Sequence, residues 1–214
     1  MSTQILEQAT RGQEVQGCPA LAAVPDPQTI AAAVRTVTAR YIAEGQASNV
    51  LEINCGLCED FAQDVLKELG VEEGERCFIV GYDNLDLLDR RWMAKHWPGS
   101  KLPAGLTFKD LDRFGMDETT HVWLTVDGRH YDADCPDGVD SVFELLNFRR
   151  NLVCAALEED PDFLEARKDD PWWAESIQLH MEFREWRGAR AGAAGELNED
   201  EAEADEEDLD DPAP

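Results

Sequence analysis

The segment Asn54-Cys55-Gly56-Leu57-Cys58-Glu59-Asp60-Phe61 sets a cysteine where an apolar helical pattern begins. Phe61, Ala62, Val65, Leu66 and Leu69 recur at helical spacing and Gly70 closes the run, so a helix is predicted from Cys58 to Leu69. The unpaired N–H groups at a helix start favour a thiolate, the form of cysteine that attacks carbonyl carbon. Gly56 permits a close backbone approach. Glu59 and Asp60 suit the helix dipole but oppose a neighbouring thiolate. An activated Cys58 therefore needs a positive partner, and His121 is the candidate.

His121 opens one arm of a hairpin. His121-Val122-Trp123-Leu124-Thr125-Val126 alternates, as does Arg129-His130-Tyr131-Asp132-Ala133-Asp134, and Asp127-Gly128 between them is a strong two-residue turn signal. That turn pairs Val126 with Arg129, Leu124 with Tyr131 and Val122 with Ala133, which together form an apolar face. The other face carries His121, Trp123, Thr125, His130, Asp132 and Asp134. The register sets His121 opposite Asp134, with Cβ atoms about 4.5–5.5 Å apart. At that distance a carboxylate can bond an imidazole and fix its tautomer. Asp132 is the alternative partner, through a diagonal contact. A solvated hairpin face would explain the same residues with no chemistry.

Three other readings of the cysteine segment stay open. Cys55-x-x-Cys58 before a helix is the spacing of a thioredoxin-like redox pair, but that fold wants a strand just upstream, and residues 27–45 look helical. Half of a zinc site with Cys135 and His121 or His130 is another, though a second close ligand pair is missing. Simple burial of both thiols is the third, and Cys18, Cys77 and Cys154 are assigned to it. His96 and His180 have no sequence companion that points to chemistry.

These residues need elements to carry them. Asp26-Pro27 opens a helix, with Ile30, Ala33, Val34, Val37 and Tyr41 as one apolar stripe and Gly45 as its stop. Cys77 to Tyr82 reads as a buried strand. Further helices are expected around Leu87–His96, Ser141–Phe148 and Asp160–Lys168. A last helix starts at Pro171, with Leu179, Phe183 and Trp186 at helical spacing and Gly188 past its end. The Trp172, Trp173, Phe183 and Trp186 stripe reads as core rather than cleft. The expected division is a loose arm over 1–25, a domain over 26–188 and a disordered acidic tail over 189–214.

Composition narrows the setting. The chain has 214 residues, 43% hydrophobic and 30% charged, the balance of a soluble globular domain. Nineteen basic residues against 46 acidic give a net charge of −27, which argues against phosphate-mediated nucleic-acid binding and against anionic membranes. Eleven acids lie between Glu196 and Asp211, so the remainder still carries −16. No apolar run approaches the ~18 residues of a membrane helix, and no secretory signal is read at the N-terminus. Six cysteines without regular spacing read as reduced thiols, so a cytoplasmic location is expected. No cofactor and no metal are expected.

Cysteine at a helix start, histidine opening a strand and acid on the paired strand: this order resembles the papain-like superfamily of cysteine hydrolases, in its transglutaminase-like and NlpC/P60-like branches. Cys55-Gly56-Leu57-Cys58 with Phe61-Ala62 is similar to the papain-type nucleophile segment, whose second cysteine attacks. His121-Val122-Trp123, Asp127-Gly128, Tyr131 and Asp134 resemble the transglutaminase-like His-x-Trp strand and the Asp strand after it. The resemblance implies an α+β, papain-like fold, with N-terminal helices and a nucleophile helix packed on a small antiparallel sheet. It implies Cys58 as nucleophile, His121 as base and then acid, Asp134 as orienting group, and a thioester formed from a peptide, isopeptide or glutamine amide. Glu52 stands where papain-type enzymes place an oxyanion donor and cannot donate; the Cys58 N–H with the Asn54 side chain is the substitute. A protein or peptide substrate is the expected partner. The alternative is an inactive acidic binding module, for a protein partner or as a DNA mimic.

Overall fold

The computed structural model describes residues 24–74, 76–81, 90–114 and 121–204, with backbone alone at 90, 92 and 191–204. The expected N-terminal arm lies outside the described residues as far as residue 23. Helix α1 spans Pro27–Ala43, capped by Asp26, whose carboxylate accepts from the N–H groups of Gln28 and Thr29. Its predicted stripe, Ile30, Ala33, Val34, Val37 and Tyr41, is buried. A short α2 (Val50–Asn54) precedes α3 (Cys58–Leu69), which ends at a left-handed Gly70.

Three strands follow, interleaved with short helices: β1 (Cys77–Gly81), α4 (Arg90–His96), α5 (Phe108–Arg113), β2 (Val122–Val126) and β3 (Arg129–Tyr131). They form an antiparallel sheet in the order β1-β2-β3. Asp127 and Gly128 both take positive φ, 50° and 78°, the requirement of a type I′ hairpin turn. The predicted register holds as far as Tyr131, with Val126 opposite Arg129 and Leu124 opposite Tyr131; β3 ends there, so the expected Val122–Ala133 pair is not part of the ladder.

Both faces of the sheet are covered, so the alternative of a solvated hairpin face does not hold. Leu124, Val126, Tyr131 and Cys77 pack with Ile30, Val34, Val37, Phe61 and Val65 of α1 and α3. On the opposite face Val80 and Trp123 join Met93, Trp97, Leu111, Phe148, Leu152 and Trp173. Burying one large apolar side chain contributes about 1.5–3 kcal/mol, so two such layers hold the thin sheet firmly. His121, Trp123, Thr125, His130 and Asp132 are all at most 2% exposed. Their polar atoms must therefore find partners inside the protein.

The C-terminal half departs from expectation. A single 3₁₀ turn covers Val142–Glu144, and α6 runs Leu146–Glu159 where a helix ending at Phe148 was predicted. No side chain caps α6, and it buries Asn147, Arg149 and Arg150 beside Phe148, Leu152 and Val153. A helix buried on several sides shows little polar–apolar contrast in sequence. After α7 (Pro161–Glu165), α8 runs Pro171–Ala204 and passes straight through Gly188. Gly188 is not left-handed, and the alanines and glutamates that follow favour helix. The expected stop at Gly188 is thus corrected, the helix continuing to Ala204; residues 205–214 lie outside the described residues. Among the described residues no helix is long and apolar enough to cross a membrane.

Candidate active site

The chain bends sharply between α2 and α3, where the Leu57 N–H donates to the Ile53 carbonyl at 3.0 Å. The bend leaves Cys55 exposed and Cys58 half-buried as the first residue of α3. The N-cap residue Leu57 offers no side-chain acceptor to the start of α3. A Cβ added at Gly56 would meet nothing within 4 Å. The approach expected there does not involve the chain's own backbone; the position opens outward.

His121 stands at the entrance to β2, is 1% exposed, and stacks on Trp123 with ring centroids 6.1 Å apart. Its Nε2 lies 3.1 Å from Oδ2 of Asp132, itself 2% exposed. With Nε2 donating to that carboxylate, Nδ1 is the ring atom left to meet Cys58. Thiol and ring lie near enough for each to shift the titration of the other.

The electrostatics follow from those contacts. Burial disfavours an ionised Cys58, but the His121 hydrogen bond, the His121 charge and the N–H groups of Val122 and Glu59 outweigh it and hold the thiol below its ordinary value. Burial also disfavours a charged His121, yet the bonds to Asp132 and Cys58 push its pKa up to about 9. Asp132 pays the same desolvation cost and is held below the usual carboxylate range by His121, the Cys135 N–H and Arg150. A thiolate–imidazolium pair backed by a buried carboxylate is the charge state these contacts favour.

Asp132, not Asp134, is the acid on His121, which corrects the expected triad. The reason is local. The Oδ1 of Asp132 accepts the N–H groups of Asp134 at 2.9 Å and Cys135 at 2.8 Å, and the Asp132 carbonyl accepts the Cys135 N–H at 3.2 Å. This turn ends β3 at Tyr131 before Asp134 can pair across from His121. The turn is locked further on by Gly138 (φ 72°), where a Cβ would sit 2.4 Å from the Tyr131 ring.

Asp134 has a different task. Its Oδ2 accepts from Asn54 Nδ2 at 2.9 Å and forms a close ion pair with Arg150. Asn54 is 1% exposed and turned to that carboxylate. This corrects its expected role as an oxyanion donor and makes it a tie between the nucleophile bend and the acid loop. Glu52 is likewise engaged, accepting from the Ser48 N–H and hydroxyl and pairing with Arg190 at 2.6 Å. The Cys58 N–H is the donor that remains of the two expected. Arg150 carries no sequence signal, because it lies past Phe148, where the helix expected from Ser141 ends.

Other readings of the cysteines fare as follows. Helices α1 and α2, not a strand, lead into Cys55-x-x-Cys58. Among the described residues no group of three His, Cys, Asp or Glu side chains is placed to hold a metal ion. Cys77 and Cys135 are buried and their thiols are pushed up by burial; Cys154 is half-buried, and Cys18 lies outside the described residues. No protein-family model matches the chain, and neither does any curated protein or solved structure.

Proposed function

We propose that the protein is a cysteine-dependent hydrolase or acyltransferase of papain-like fold, acting on an amide through Cys58, His121 and Asp132. The observation that carries this reading is a buried histidine bonded to a buried carboxylate, with a helix-start thiol near enough for ring and thiol to shift each other's titration. The order of elements supports it too: a nucleophile helix packed on an antiparallel sheet that presents the histidine.

Cys58 sulfur attacks the carbonyl carbon of a peptide, isopeptide or glutamine amide. The Cys58 N–H at the uncapped start of α3 meets the developing oxyanion. His121 gives its proton to the leaving nitrogen, the C–N bond breaks, and an acyl thioester remains on Cys58. Water or an amine then attacks the thioester, His121 takes the proton, and the C–S bond breaks to restore the thiolate. Asp132 keeps the ring oriented and stabilises its positive charge throughout. The free thiols of the described residues suit a reducing cytoplasm, where such a nucleophile survives.

The test is alkylation of the native chain with limiting iodoacetamide near neutral pH, mapped by mass spectrometry, beside His121→Ala. Selective labelling of Cys58 that slows sharply in the variant supports the reading. Slow, equal labelling of several cysteines, unchanged by the variant, overturns it and leaves the fold as a binding module.

A further inference from the structure

A cavity of about 370 Å³ opens between α6 and α8, within the size range of small-molecule sites. From α8, His180, Phe183, Arg184 and Arg187 line it on one helix face; from α6 come Cys154, Leu157 and Glu158. Leu157 and Phe183 supply an apolar wall.

The two arginines are unusual for this chain. The protein carries −27, and arginines elsewhere, such as Arg40, Arg76, Arg113 and Arg190, hold carboxylates. Among the described residues Arg184 and Arg187 have no ion-pair partner; Arg187 lies over the Phe183 ring at 5.7 Å. His180, 4% exposed, adds a buried Nδ1 without a hydrogen-bond partner. Two arginines against one glutamate leave the cavity one positive charge in excess, which complements a single carboxylate.

A chain of contacts links the cavity to the segment before the candidate nucleophile. Arg150 stacks on the same Phe183 ring at 5.7 Å and pairs with Asp134, which holds Asn54 in the bend before Cys58. Arg190, further along α8, reaches Glu52 of α2, just before that bend. We propose that this cavity binds an organic carboxylate with a short apolar body, gripped by Arg184 and Arg187, and that it receives the acidic end of the substrate on which Cys58 acts. The second half of this statement rests on the hydrolase reading; the binding site does not.

Benzoate is the probe, with benzamide as its uncharged counterpart, titrated by calorimetry into the full chain. Cys154 is a built-in reporter, because an occupied cavity shields its half-buried thiol from iodoacetamide. Saturable benzoate binding is expected, weakened about tenfold or more in Arg184→Gln/Arg187→Gln, with slower Cys154 alkylation at saturation and no comparable binding of benzamide. Cys58→Ser should bind benzoate unchanged. No saturable binding, equal binding of benzamide, or binding indifferent to both arginines overturns the proposal. Cys58 labelling is read separately, so failure of the cavity and failure of the nucleophile are distinguishable. Benzoate binding without any effect of saturation on iodoacetamide labelling of Cys58 would overturn the assignment to the substrate's acidic end.

Discussion

Two histidines on one hairpin face, both at most 1% exposed, have opposite electrostatic fates. His121 meets a carboxylate and a thiol, and its pKa rises to about 9. His130 meets Trp123 Nε1–H at 3.1 Å, the Thr125 hydroxyl at 3.4 Å and the Ser100 hydroxyl at 3.3 Å, and burial pushes its pKa down to about 3. Burial is the same penalty for both. What differs is the charge on the partner, and that alone separates a proton-transfer group from a packing group.

The sharpest break of this comparison is to remove each ring in turn. His121→Ala should slow Cys58 alkylation near neutral pH by about a hundredfold, the order of a lost base partner. His130→Gln should leave it within about threefold, since His130 touches neither Cys58 nor Asp132. Equal effects, measured by labelling rates on folded protein, would mean that the two histidines differ in contacts but not in role.

Next come the acids. Asp132→Asn removes the charge that holds His121 protonated, and the Cys58 alkylation rate should fall about tenfold or more. Asp134→Asn should change that rate little. It should instead cost roughly 3 kcal/mol in urea unfolding, because Arg150, buried with it, loses its counter-charge. A labelling loss larger for Asp134→Asn than for Asp132→Asn would restore the register read from sequence.

That register shows how far sequence carries. The I′ turn, the strand pairing and the Cys58 helix were legible because each rests on local chemistry: Asp127-Gly128, strict alternation, and an apolar stripe closed by Gly70. The pairing of His121 failed one step further, because Asp132 folds its own side chain back onto the N–H groups of Asp134 and Cys135. Alternation cannot reveal where a strand stops when the residues beyond it still alternate. The second core was illegible for another reason. A face bearing His, Thr and Asp can be read as solvated, and packing by Met93, Trp97 and Leu111 together with α6 and α8 makes it buried. Arg149 and Arg150 conceal α6 in the same way, by looking like surface residues while both are buried, Arg149 reaching out to Glu175 and Arg150 holding the buried Asp134.

The histidines also bend the stability profile in opposite directions. The folded pKa of His121 lies above its unfolded value near 6.5. Its contribution is complete below that pH and is lost as pH rises through about 9. The folded pKa of His130 lies below its unfolded value. Its contribution is complete above about 6.5 and is lost as pH falls toward about 3. Each limb should slope by at most about 1.4 kcal/mol per pH unit. Urea midpoints across pH should show both limbs, with Asp132→Asn flattening the alkaline one and His130→Gln the acid one. Unchanged limbs in these variants would assign the profile to other groups.

The smallest expected effect tests where the proton sits on His130. Trp123 can only donate, so Nδ1 accepts from it at 3.1 Å. The neutral ring then carries its proton on Nε2 and donates to the Ser100 hydroxyl, which also accepts the Val142 N–H at 3.0 Å. Ser100→Ala leaves two buried donors without an acceptor and should cost about 1–3 kcal/mol. Thr125→Val keeps the shape and removes only a 3.4 Å contact to a nitrogen already served by Trp123, so it should cost less than about 1 kcal/mol. If the two variants cost the same in urea unfolding, Nδ1 depends on Thr125 as much as Nε2 depends on Ser100. The proton then cannot be confined to Nε2, and the contrast between a fixed neutral ring and a titrating one loses its basis.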